Sequence, residues 1–172
     1  METNNNDIKD LKIKKLISNL GSDSGLVRQK AREEMVKLGQ NVIDYLMELL
    51  SHPKHIYRWE AVKTLEEIED PLAIPLLIQS LEDDNEDVRW IAAKGLVKLG
   101  KKSILPLLKV LEEKSDSVFI LEGAHHVFSD LRENNELPEG FPIDKILTAL
   151  KNPEWVISVK PLIYQTISDL DT

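Results

Sequence analysis

Metal-ligand chemistry is the first possibility the residues raise. The chain has four histidines, His52, His55, His125 and His126, and no cysteine. Glu122 and His126 stand four positions apart, which on a helix places them one turn apart on the same face and lets them share an ion. A stable site needs a third and usually a fourth ligand, and this pair alone does not supply them, so no metal is expected. His52 and His55 flank a turn, where exposed or capping roles are expected. Without cysteine, disulfides, thiol catalysis and zinc–thiolate sites are excluded. The sequence holds no glycine-rich phosphate loop, no nucleophile motif and no spaced acid–base pair, so neither a catalytic residue nor a cofactor is expected.

Recognition chemistry is the second possibility, and Trp59 and Trp90 carry it. Their direction depends on the elements that hold them, and those elements repeat. A Val-Arg pair opens a helix at Val27-Arg28 and at Val88-Arg89, with Tyr57-Arg58 between them, so the arginines recur at intervals of 30 and 31 residues (58 − 28 and 89 − 58). Such a period marks stacked supersecondary units, each unable to bury its apolar face alone. The unit is clearest from Asp70 to Gly100: a helix A with Ile74, Leu77, Ile78 and Leu81, an acidic turn Glu82–Asp87, and a helix B with Val88, Ala92, Leu96 and Leu99. Helix A of the first unit carries Ile8, Leu11, Leu16, Ile17 and Leu20, and helix B carries Val27, Ala31, Met35 and Leu38 before stopping at Gly39. In the second unit Tyr57, Ala61, Leu65 and Ile68 mark helix B, and Pro53 suits a first helical turn. Pro75 and Pro106 are placed at matching first-turn positions of the third and fourth A helices.

The fourth unit departs from this register. Keeping Val118 in the position of Val88 would bury Glu122 and His126, whereas Ile120, Ala124, Val127, Phe128 and Leu131 form an unbroken apolar stripe, so helix B is expected to have slid by two residues. The polar connection Arg132–Pro142 follows, then a last pair in which Ser158 is expected to cap a helix running to about Leu170, keeping Pro161 out of its interior. The expected division is a frayed tail over 1–6 and a single repeat domain over 7–172. Its repeats fall at about 7–39, 40–70, 71–100, 101–132 and 142–172, with a long loop over 133–141.

On a wheel of 100° per residue with Val88 at zero, the core stripe of helix B covers about 0–80°, while Trp90 falls near 200° and Lys94 near 240°. The same geometry turns Trp59 and Lys63 outward in the second unit, Gln29 and Glu33 in the first, and Glu122 and His126 in the fourth. Stacked units would therefore show two rows, Gln29, Trp59, Trp90, Glu122 and Glu33, Lys63, Lys94, His126. Outward tryptophans are frequent interface anchors, so these eight residues are the candidate partner-binding set; the alternative is that Trp59 and Trp90 fold down against neighbouring B helices and only pack. The arginines, near 100°, are expected to form a structural ladder, reaching turn carboxylates such as Asp87. Surface carboxylates such as Glu66 and Glu67 are expected to be solvated.

The Leu-Leu of helix A, the acidic turn, Val-Arg-x-x-Ala-Ala-x-x-Leu and the closing glycine resemble a short HEAT-like repeat of the phycobilisome-lyase type. Thr-Pro-Leu-His and Trp-x-x-Leu-Gly-x-x-Tyr, the ankyrin and tetratricopeptide signatures, are absent. The resemblance implies an all-α, right-handed α-solenoid of about five antiparallel helix pairs whose B helices line a concave surface that holds protein partners. Some relatives handle bilins, hydroxylate a lysine derivative at a di-iron site, or remove alkylated bases from DNA. The hydroxylase-like relatives use His-Glu pairs, and no such dipeptide occurs here.

Twenty-two basic and thirty acidic residues give a net charge of −8 and a pI near 5.1, which opposes non-specific attraction to nucleic-acid backbones. Lys94 and Lys98 beside Trp90 would suit stacked bases and phosphates, but Glu60, Glu66, Glu67, Glu69 and Asp70 interrupt any basic track. No secretory h-region and no membrane-length apolar run occur, so a cytoplasmic protein is expected. The favoured function is a non-catalytic interaction or scaffold module binding another protein. DNA binding with alkylated-base processing, and bilin lyase or isomerase chemistry, are the alternatives. Nothing in the sequence indicates an oligomeric state.

Overall fold

The computed structural model describes the backbone of residues 5–114, 116–151 and 155–170, and side chains from residue 8 except at 115 and 152–159. Among these residues it is all helix and turn. Five antiparallel pairs follow one another: α1 (Asn5–Leu20) with α2 (Gly25–Leu38), α3 (Ile43–Leu49) with α4 (His55–Ile68), α5 (Ile74–Ser80) with α6 (Glu86–Lys98), α7 (Lys101–Glu113) with α8 (Val118–Glu133), and α9 (Ile143–Leu150) with α10 (Trp155–Leu170). The pairs stack into a right-handed α-solenoid. Of the expected frayed tail, residues 1–4 lie outside the described residues and Asn5 and Asn6 belong to α1.

The B helices α2, α4, α6 and α8 pack side by side because their contact faces are small. Ala31, Ala61, Ala92, Ala93 and Ala124 are all buried. A Cβ on Gly95 would come within 2.9 Å of a Leu77 methyl and 3.4 Å of the Glu66 Cβ, so α6 sits closer to its neighbours than a larger residue would permit. The A helices contribute Leu46, Leu49, Leu77, Leu81, Leu107, Leu108 and Leu111 to the same continuous core. Burial of this kind, at about 25 cal/mol per Å² of apolar surface, is what holds each unit to the next.

Several expectations need correction at the ends of units. Val27 is 37% exposed and Ile8 and Leu11 are 53% and 64% exposed, while Ile13, Leu16 and Leu20 face the core instead. The second and third A helices begin with single 3₁₀ turns, Gly39–Val42 and Pro71–Ala73. In the latter the Asp70 carboxylate accepts from the Leu72 amide at 2.9 Å. This prelude leaves Pro75 in the first turn of α5. In the fourth unit α7 runs unbroken from Lys101, so Pro106 lies inside it rather than at its start. Pro53 lies in the turn before α4, not in its first turn. Pro161 is likewise inside α10, which already runs from Trp155, upstream of the expected Ser158 cap, and it is exposed there.

The fifth pair reverses the layering. α9 packs on α8, while α10 packs on α7 and α9. Thus α9 extends the B layer and α10 lies with the A helices. The long connection after Glu133 permits this exchange, because its residues carry the chain across to the other layer.

Candidate functional site

Helix α8 shows the displaced register: Ile120, Ala124, Val127, Phe128 and Leu131 are fully buried, while Val118 and Phe119 are 62% and 41% exposed. The shift brings His126 against Trp90 on α6. The indole is 53% exposed and stacks on the imidazole with ring centroids 4.4 Å apart and planes 27° from parallel. Phe119, in the first turn of α8, lies beneath the Arg89 guanidinium, 4.2 Å from its carbon to the ring centroid. Between these two aromatic contacts is a cleft of about 230 Å³, with Ala93 and Gly123 among its lining and Glu86 and Glu122 beside them. A Cβ on Gly123 would meet Leu81 at 2.9 Å, so close helix approach keeps this position small.

Of the eight expected site residues, Trp90, Glu122 and His126 converge on this cleft, and Lys94 is exposed one turn further along α6. The others do not join them. Gln29 donates to Glu33 across one turn of α2 at 2.9 Å, both exposed. Trp59 is half-buried against the core, with the Arg32 guanidinium 5.8 Å above its ring, so it is not the free equivalent of Trp90. Lys63 is half-buried and paired with Glu66 at 2.6 Å and Glu67 at 3.4 Å. Sequence reasoning missed Phe119, Arg89 and Glu86. The available signal was the phenylalanine standing where the 30-residue period calls for an arginine.

The arginines hold the turns by a repeated device. Arg28 Nη1 donates to the carbonyls of Ser22 and Asp23 at 2.7 and 3.3 Å, Arg58 to those of His52 and Pro53 at 2.9 and 3.5 Å, and Arg89 to those of Asp83 and Asp84 at 2.8 and 3.3 Å. Arg89 thus serves carbonyls rather than the expected Asp87 carboxylate. The remaining guanidinium face reaches the next unit each time, to Glu60 from Arg28, to Asp83 and Asp84 from Arg58, and to the Phe119 ring from Arg89. His52 supports the second of these turns by accepting from the Lys54 amide at its Nδ1, 3.1 Å away.

Glu66, expected to be solvated, is 2% exposed and holds Lys63 at 2.6 Å and Lys98 at 2.9 Å. Burial pushes its carboxyl up, but the hydrogen bonds and charges of the two lysines outweigh that and hold it below the ordinary glutamate range. Glu60, equally buried, is held by Arg28 and Arg32. These carboxylates are therefore ties between helices rather than surface charge. Lys98, which also pairs with Glu69 at 3.2 Å, is drawn away from any nucleic-acid role beside Trp90.

Among the described residues no three His, Asp or Glu side chains are grouped to hold a metal, and no helix is long and apolar enough to cross a membrane. A search of the curated proteins finds no match. Among solved structures, the chain is similar to one in the complex of CpcE and CpcF of phycocyanin lyase from Nostoc sp. PCC7120, with 23% identity, a TM-score of 0.59, and coverage of 90% of this chain and 99% of that one. A family model described as HEAT repeats matches residues 13–96 and again 43–125, so its start moves from 13 to 43 by the same step that separates Arg28 from Arg58. Repeat period, arginine device and matched span agree, and the chain belongs to the HEAT-repeat family.

Proposed function

We propose that the chain is a non-catalytic protein-interaction module, a scaffold or adaptor, that receives its partner on the B-helix face with Trp90 as anchor. The observation that carries this reading is the half-exposed indole braced by His126 beside an apolar cleft. A tryptophan held rigid before binding loses little entropy on contact, and truncating such an anchor costs roughly 2 kcal/mol or more of affinity. The test is capture of partners from native lysate by wild type and by Trp90→Ala. The substitution should remove specific capture while lowering stability by less than about 1.5 kcal/mol, the scale of the ring stack it loses. Unchanged capture rejects the reading.

A second reading, handling of a bilin, is favoured by the likeness to a phycocyanin lyase chain. The Trp90, His126 and Phe119 rings would then form a platform for a planar tetrapyrrole. Titrating a free bilin and following its visible absorption decides this reading: a band shift lost in Trp90→Ala supports it, and an unshifted band removes it.

A further inference from the structure

A second cleft lies where α9 packs on α8. His125 and His126 are consecutive, so their side chains leave α8 about 100° apart. His126 lines the Trp90 cleft, and His125 lines this other one, of about 240 Å³. Its polar lining is His125, Ser129 and Arg132 from α8 with Asp144, Thr148 and Lys151 from α9 or its end. Donors therefore approach from two sides: a guanidinium, an ammonium, two hydroxyls and an imidazole.

Two observations set this group apart from ordinary surface charge. The His125 Nε2, like that of His126 beside it, is shut from solvent and has no hydrogen-bond partner, which is costly for a polar atom unless something fills the place. The site is also electropositive in a chain of net charge −8. Burial holds the His125 imidazole below the ordinary histidine range, and the charges of Lys151, His126 and Arg132 lower it further. The one opposing group, Asp144, sits 3.1 Å from Arg132 with its side chain 88% exposed, so it can turn into water and release the guanidinium.

We propose that the α8–α9 cleft binds a phosphate group, either as the free ion or borne on a phosphorylated residue. Five donors in two walls suit a tetrahedral dianion better than a planar, singly charged carboxylate. Asp144 acts as the internal stand-in that the ligand displaces. The site is independent of the Trp90 cleft and does not rest on its assignment.

The test follows the His125 ring resonances by NMR near neutral pH while inorganic phosphate replaces chloride at constant ionic strength, with acetate as a parallel arm and a phosphoserine peptide as a third. Phosphate should shift His125 saturably and acetate should not; tighter binding of the peptide than of the free ion identifies a phosphorylated chain as the source, and equal binding identifies the free ion. Lys151→Gln and Arg132→Gln should each weaken binding by about tenfold or more, the scale of a charge-assisted hydrogen bond, while Asp144→Asn should tighten it and Trp90→Ala should leave it unchanged. Lys151 is exposed, so its variant keeps the fold. Absence of saturation at phosphate concentrations up to about 10 mM, the weak end of specific binding, overturns the proposal. So does equal affinity in Lys151→Gln and Asp144→Asn, which would mean an adventitious ion only.

Discussion

Replacing Arg58 by alanine should cost more than replacing Arg89, although both occupy the same position of the repeat. Arg58 Nε and Nη2 donate to the two oxygens of Asp83 at 2.7 and 3.0 Å, and the paired side chains are only 11% and 9% exposed. Removing one member of such a pair leaves a charge without a partner in a poorly solvated place, at a cost of about 3–5 kcal/mol. Asp83 keeps the Asn85 amide at 2.9 Å, which places the loss near the lower end, about 3 kcal/mol. Arg89 gives up a carbonyl bond at 2.8 Å and a ring contact at 4.2 Å, together about 1.5 kcal/mol. Urea unfolding followed by circular dichroism at neutral pH should separate the variants by about 1.5 kcal/mol, equivalent to about 3–6 °C in melting temperature for a chain of this length. The difference should also depend on pH with a fixed sign. Burial pushes the Asp83 carboxyl up, and the hydrogen bond and charge of Arg58 together with the Asn85 amide more than reverse this, so the folded group titrates below the unfolded one. The stability from the pair is complete above the ordinary aspartate value of 3.8 and is lost as pH falls through the lower folded value. Equal losses in the two variants, or a gap that does not close in acid, would refute the reasoning.

Other substitutions follow from the same contacts. Trp59→Ala should lower stability by about 2 kcal/mol, less than a fully buried tryptophan would lose, where Trp90→Ala does not; thermal melts of both variants check this. Glu66→Gln should destabilise by about 1–2 kcal/mol near neutral pH, because Lys63 and Lys98 keep only Glu67 and Glu69. Its deficit should vanish as pH falls from 4.5 through the depressed folded value of Glu66, as measured by denaturation at a series of pH values. Gly95→Val should cost about 2–3 kcal/mol by urea unfolding, since its Cβ would meet the buried Leu77 methyl at 2.9 Å and adds two more methyl groups there.

The repeat period and the apolar stripes made the helix pairs and the displaced register of α8 legible, because both follow from burial at helical spacing, which a single sequence displays. What could not be read was the partner of each outward side chain. Trp59 and Trp90 have equal wheel angles, yet Arg32 covers one ring and His126 braces the other; those neighbours lie in adjacent units, beyond any local pattern. Glu66 likewise looked solvated until α6 brought Lys98 to it. The reversed fifth pair was hidden for a different reason: amphipathic periodicity says that a helix has a buried face but not which layer supplies the cover. In the cleft, helical spacing turns Trp90, Glu122 and His126 outward, whereas the place of Phe119 depends on Arg89 of the adjacent unit.

The central claim is that Trp90, and not Trp59, is the side chain that meets the partner. Labelling the chain with 5-fluorotryptophan, assigning the resonances by single substitutions, and adding a partner recovered by capture tests this by ¹⁹F NMR. The account predicts that the Trp90 signal shifts or broadens while that of Trp59 stays in place. A Trp90 signal unmoved at saturating partner would contradict it.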